Sequence, residues 1–282
     1  MPPTAPERAA LDRVLADPTF EIIPLKNARE QAAALPRGAT VSVTASPGKG
    51  IEATVELTIE LERAGLRAIP HLSARMIRDR AHLSELLARL NEAGIDRAFV
   101  VGGDANEPGE FLDALSLIRA MADLGRLPSE VGIGCYPQGH PDIPDDALAQ
   151  ALRDKVPFAS YMATQMCFDA KAIGTFVAAR RAEGNTLPVK IGLPGVAEIP
   201  KLISISARIG VKDASKFILK NVRFVGELLR SGGLYRPTKL VEQLAPLIAD
   251  PEAKILGFHV YTFNNVPATI EWRDHLRGML AS

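Results

Sequence analysis

Cysteine is almost absent from this 282-residue chain: Cys135 and Cys167 are its two, without CxxC spacing. That excludes a disulfide framework and fits reduced thiols in a cytoplasmic protein. An excess of either charge is missing as well, Lys plus Arg and Asp plus Glu standing at 33 each. No electrostatic footprint for nucleic acid or an anionic membrane surface therefore exists. No apolar run approaches membrane-spanning length, and "MPPTAPERAALDRVLADP" lacks a basic start followed by an apolar stretch, so a soluble protein without a secretory leader is expected. No low-complexity linker or composition break divides the chain. The dinucleotide-binding G-x-G-x-x-G is lacking after the first strand, where "SPGKG" (46–50) does not fit it. No metal site is expected.

What is present is alternation. Short β-rich runs occur at 19–25, 39–45, 66–73, 97–103, 130–137, 158–165, 188–195 and 254–263. Between them lie amphipathic patterns such as "ATVELTIELERAG" and "AHLSELLARLNEAG", apolar at i, i+3, i+4, i+7 and closed by a glycine suited to a helix end. Two or three helical segments fill 197–249, where a simple unit needs one. Eight βα units predict a closed (β/α)8 TIM barrel of the α/β class. It forms a single domain over 1–282 with an N-terminal helical extension over about 1–17. An open doubly wound sheet is the alternative, and it leaves two edges to protect.

Active sites of such barrels form at the C-terminal ends of the strands. The polar residues falling there are Glu21, Thr44, His71, Asp104, Tyr136, His140, Gln165, Tyr261 and Asn264. Each has a bland reading: Asp104 can open an Asx-turn, Gln165 can satisfy barrel carbonyls, and a strand-end histidine is commonly a hydrogen-bonded rim residue. Glu21, inside "FEIIPLKN" (20–27), is different because an unpaired buried carboxylate is costly unless it takes up a proton. It is either a structural ion pair, with Lys26 or Lys190 as partner, or a general acid.

The ordered pieces "FEIIP", "VSVT" (41–44), "PHLS" (70–73), "GGD" (102–104), "CYPQGHP" (135–141), "ATQMCFD" (163–169), "LPG" (193–195) and "FHVYTFNN" (258–265) resemble the bacterial MetF-type methylenetetrahydrofolate reductases. The resemblance implies a (β/α)8 barrel that reduces 5,10-methylenetetrahydrofolate to 5-methyltetrahydrofolate with NADH or NADPH, usually through FAD. By the same resemblance Glu21 matches the proton donor, Asp104 the aspartate that favours the cationic iminium, and Gln165 the glutamine that hydrogen-bonds the folate. Tyr261 and Asn264 fall on the substrate side. Thr44, His71, Gly103, Tyr136, His140 and Lys155 fall on the cofactor side.

Departures from the family cluster on the flavin positions. Gly102 stands where flavin-containing members have an arginine, and Ala151 where they have an asparagine, with Arg153 and Lys155 left nearby. FAD is left open, leaning to absent, and the remaining residues can line a nicotinamide dinucleotide site instead. Asn265 replaces an arginine. In 201–221 Phe217 is a candidate to stack on the pterin, and Lys212, Lys216 and Lys220 at i, i+4 spacing are either a folate-tail contact or a solvated face. The expected partner is thus a reduced folate, with no nucleic acid or membrane, and the oligomeric state is open. The competing class is a non-catalytic pterin-binding barrel or a subunit of a methyl-transfer complex.

Overall fold

A computed structural model describes residues 2–208 and 233–281. Phe217, Lys212, Lys216 and Lys220 lie outside the described residues. Eight parallel strands close into one barrel: β1 (Thr19–Ile22), β2 (Thr40–Val43), β3 (Arg67–Ser73), β4 (Arg97–Val101), β5 (Glu130–Cys135), β6 (Tyr161–Thr164), β7 (Val189–Pro194) and, after two short strands described below, β10 (Ile255–Tyr261). The ring is closed by β10 lying between β7 and β1. The expected barrel is therefore the observed one, and the open sheet is not.

Helices alternate with the strands: α1 (Ala5–Ala16), α2 (Ala28–Ala32), α3 (Gly50–Arg63), α4 (Arg80–Glu92), α5 (Ala114–Asp123), α6 (Asp145–Lys155) and α7 (Ala170–Ala182). Then come α8 (Ile199–Arg208), α9 (Thr238–Ala249) and α10 (Val266–Ala281). Aspartates start several of them. Asp79, Asp113 and Asp169 each accept backbone N–H bonds from the first turn of α4, α5 and α7, which satisfies donors that a helix leaves free. The Asp of the "ATQMCFD" stretch is thus a helix cap. Gly65 and Gly94, at the ends of α3 and α4, take φ of +88° and +76°, the left-handed turn expected of a closing glycine. No described helix is long and apolar enough to cross a membrane.

Strand parity decides what faces the barrel interior. Phe20 and Ile22 of β1 are buried among Ala28, Val41, Val43, Leu57 and Leu61, between sheet and helices. Burying each such side chain favours the fold by about 1.5–3 kcal/mol, so the opposite parity, Thr19 and Glu21, is driven inward. A one-residue slip would exchange the two sets. The same alternation sends Phe99 and Tyr161 inward, with ring centroids 6.3 Å apart. Gly132, in register between them on β5, has no room for a Cβ, which would collide with both rings.

A two-stranded antiparallel pair, β8 (Ala197–Glu198) and β9 (Leu234–Tyr235), was not expected; strands of two residues carry no period to detect. It lies beside an apolar cluster of Met166, Phe168, Ala197, Leu202 and Phe263. The eight expected runs also extend past the observed strands at several C-terminal ends. There the chain leaves the sheet and its side chains become available to a site.

Candidate active site

Glu21, the last residue but one of β1, has its side chain 12% exposed, and its Oε2 lies 3.0 Å from His259 Nε2 and 3.9 Å from His71 Nε2. The first distance is a hydrogen bond and the second is not. Both imidazoles are buried, and the rings of His71 and His259 stand 6.0 Å apart with Phe99 against each. Burial pushes His71 down to about 4; the Glu21 carboxylate opposes that shift and His259 adds to it. His71 is therefore neutral near pH 7. Two ring atoms, His71 Nε2 and His259 Nδ1, are buried without a hydrogen-bond partner. Most buried polar atoms are satisfied, so this corner of the barrel is held in an uncompensated state.

The ion-pair partners considered for Glu21 are elsewhere. Lys26 is exposed. Lys190 donates to Thr19 Oγ1 at 2.9 Å and sits 4.5 Å over the Tyr161 ring. Its register partner on β10 is Gly257, two residues before His259, which places it one layer deeper in the barrel. His259 is the residue that sequence reasoning missed. It lies two positions before Tyr261 on the same strand face, and that parity was the available signal.

The other rim candidates fall into neighbouring groups. Tyr261, its ring 5.3 Å from His259, donates to Thr164 O at 3.2 Å. Burial pushes its hydroxyl well above the usual range, with Glu21 and then Tyr136 as further causes, and its hydrogen bond ties the Glu21 corner to the end of β6. Gln165 is half-buried and accepts from Met166 N at 2.8 Å. Tyr136 and His140 meet edge to face at 5.4 Å, and His140 Nδ1 accepts from Asp142 N. Thr44 donates its N–H to Ile22 O and accepts Thr54 Oγ1 on its own carbonyl.

Asp104 is exposed on the loop after β4. Beside it Gly103 has φ +84°, and a Cβ there would strike the buried Ser73 Oγ, which has no hydrogen-bond partner. Asn264, at φ +54°, accepts from Ile23 N at 2.8 Å and donates to Ile23 O and Asn27 Oδ1. Its amide thereby ties the end of β10 to the end of β1. Asn265 similarly donates to Val196 O at 3.1 Å. Lys155, at the end of α6, is half-buried, and desolvation lowers its affinity for a proton.

Among the described residues Glu21, His71 and His259 also form a group whose ligand atoms all lie within 4.8 Å of one another, compact enough to hold a metal ion. No sequence spacing announces it, because the three come from β1, β3 and β10.

A closed (β/α)8 barrel with a carboxylate, two imidazoles and a phenol gathered at the C-terminal rim has the layout of a barrel enzyme. The methylenetetrahydrofolate reductase family profile matches residues 25–276, and the chain belongs to that family. It is accordingly an oxidoreductase acting on the CH–NH group of a folate in one-carbon metabolism.

Solved structures are similar at a much lower level. A proposed phosphonomutase from Burkholderia cenocepacia J2315 has 17% identity and a TM-score of 0.43, covering 79% of this chain and 97% of that one. A proposed lyase/mutase from the same organism has 16% identity and a TM-score of 0.46, covering 99% and 87%. The carboxyl transferase domain of Rhizobium etli pyruvate carboxylase has 12% identity and a TM-score of 0.38, covering 66% and 37%. Nothing is carried over from these three.

Proposed function

We propose that this chain reduces 5,10-methylenetetrahydrofolate to 5-methyltetrahydrofolate with hydride taken directly from NADH or NADPH, Glu21 supplying the proton that opens the imidazolidine ring. The observation that carries the proposal is the Glu21–His259 contact at the rim. A carboxylate locked to lysine or arginine would stay ionised, whereas one facing an imidazole can hold a proton.

In the reaction, the proton on Glu21 goes to the departing ring nitrogen as its bond to the methylene carbon breaks, leaving an iminium. Hydride from the nicotinamide then adds to that carbon. Asp104 favours the cation electrostatically; it is exposed in the free chain, so its effect grows when substrate covers it and excludes water. Gln165, with Tyr261 beside it, hydrogen-bonds the folate. A folate contact by Asn264 has to coexist with the bonds that Asn264 makes to Ile23 and Asn27. Thr44, His71, Gly103, Tyr136 and His140 border the side from which the nicotinamide ring enters. The setting proposed is the cytoplasm, with both thiols reduced.

Among the described residues the donor set near α6 does not fit FAD. A flavin's diphosphate needs charge-assisted donors, and near α6 they are few. Gly102 offers no side chain, and Ala151 is exposed and apolar. Arg153 is turned to Gln150 Oε1 at 2.8 Å, while Asp145 and Asp146 occupy the first turn of the helix. Of the two basic residues in the last turn of α6 that leaves Lys155, and burial already disfavours its charge. No step is therefore routed through a flavin.

Following nicotinamide absorbance with and without methylenetetrahydrofolate tests the activity: substrate-dependent oxidation is expected, with initial-rate plots that intersect. Absence of substrate-dependent oxidation would leave a pterin-binding barrel or methyl-transfer subunit. Stoichiometric FAD reducible by NADH, together with parallel plots, would reject direct transfer.

A further inference from the structure

We infer that His259 is a positioning residue that keeps the ring-opening proton available on Glu21, one proton being shared between Glu21 Oε2 and His259 Nε2. The inference rests on the role given to Glu21 above and adds a partner to it. The two atoms are 3.0 Å apart, and His259 is 1% exposed, so no bulk water competes for its Nε2. Ser42 Oγ also lies near that nitrogen, at 3.5 Å, the outer limit of a hydrogen bond.

The groups facing the pair leave the proton to it. His71 of β3 is too far from Glu21 for a hydrogen bond, and burial keeps it neutral. Tyr261 of β10, and Tyr136 and Cys135 on the β5 side, all keep their protons because burial raises each of them. Phe99 of β4 contributes an apolar wall, and Gly192, in register on β7, contributes no side chain. Lys190 is a layer below, on Thr19.

His259 Nδ1 is buried without a partner. With the proton shared between Oε2 and Nε2, that Nδ1 carries hydrogen wherever the proton rests, as an unmet donor. In turnover the proton passes from Oε2 to the departing nitrogen, whose bond electrons it receives. The nicotinamide supplies hydride, and the emptied pair takes one proton from water after product leaves. One proton is consumed per hydride transferred, as the overall reduction requires.

The test compares kcat–pH profiles of the wild type, His259→Gln and Glu21→Gln, with thermal midpoints on the same preparations. Titration of a coupled pair belongs to the pair. In His259→Gln the proton is held by Glu21 alone, so the alkaline limb should move by about one pH unit or more to lower pH. Turnover near pH 7.5 should fall and be partly recovered at lower pH, with KM for the folate little changed. A folded His259→Gln whose alkaline limb stays in place overturns the inference, and if Glu21→Gln is inactive the Glu21 role survives that result. An active Glu21→Gln instead overturns the Glu21 role itself.

Should His259→Gln fail to fold, the wild type decides by NMR. With 15N-histidine and 13C-glutamate labels, His259 and the Glu21 carboxyl should titrate with a common midpoint, and two independent midpoints overturn the inference. So does one equivalent of transition metal retained on purification and bound through Glu21, because a metal would occupy the atoms assigned to the proton.

Discussion

The two ends of the barrel carry charged and polar groups that are treated in opposite ways. At the N-terminal end Arg67 pairs with Glu130, Arg97 pairs with Glu62 and also donates to Ala68 O at 2.9 Å, and Lys190 is bound by Thr19 and the Tyr161 ring. At the C-terminal end Glu21 meets histidines, and Ser73 Oγ, His71 Nε2 and His259 Nδ1 have no partner. Polar groups that are fully matched serve architecture. Groups left under-matched cost stability, and a fold retains that cost where chemistry uses it.

The strongest way to break this contrast is Glu21→Gln. It keeps size and hydrogen bonding, and kcat should fall roughly 10²–10⁴-fold with folate affinity little changed. The thermal midpoint, measured on the same sample, should stay near wild type; a stable variant with near-normal turnover would make Glu21 architectural.

His71 sharpens the contrast through pH. Its folded-state value of about 4 lies below the ordinary 6.5, so between those values the unfolded chain binds the proton and the folded chain does not. Stability is intact above about pH 6.5 and falls on acidification toward 4, by up to roughly 3 kcal/mol. Urea midpoints at pH 7.5 and pH 4.5 should show a smaller acid loss in His71→Asn than in wild type. An equal loss would mean that His71 takes up its proton in the folded state.

The opposite end supplies the control. Arg97→Met removes the charge that faces Glu62 and should cost about 1.5–3 kcal/mol by chemical denaturation, while kcat per folded molecule stays within about twofold. A large kinetic effect there would erase the distinction between the two ends.

The smallest effect concerns the thiols. Burial raises Cys135 to about 12 and Cys167 to about 11, so neither forms a reactive thiolate near neutrality. Native protein should resist a thiol reagent such as DTNB at pH 8, and unfolding in urea should release two titratable thiols. Rapid labelling in the native state would place at least one cysteine nearer the surface than its burial indicates.

Much of the fold was legible because its signals are local. Helical periodicity, closing glycines such as Gly65 and Gly94, and short strand runs such as β2 and β7, buried along their whole length, recur along the chain, and eight such runs leave few architectures. Glu21 was legible for a related reason: a carboxylate among "FEIIP" residues conflicts with its surroundings, and a local conflict marks a site. The β8–β9 pair was not legible, being two residues on each side. Nor was the donor poverty around α6 complete in the sequence. The absent side chains at Gly102 and Ala151 were visible there, but that Arg153 turns to Gln150 and that Lys155 is partly buried were not.

The chain's order of residues by itself determined the barrel, the inward parity of Glu21 and the family to which it belongs, since these follow from spacing and from motifs in sequence. The tertiary structure alone decided what Glu21 meets. His259 is 238 positions away and becomes its neighbour only when β10 closes the barrel against β1. Lys190, the more obvious counter-charge, is withdrawn by one step of register. Whether a buried carboxylate is an ion pair or a proton store depends on what stands within about 3 Å of it, and closure of the barrel sets that distance.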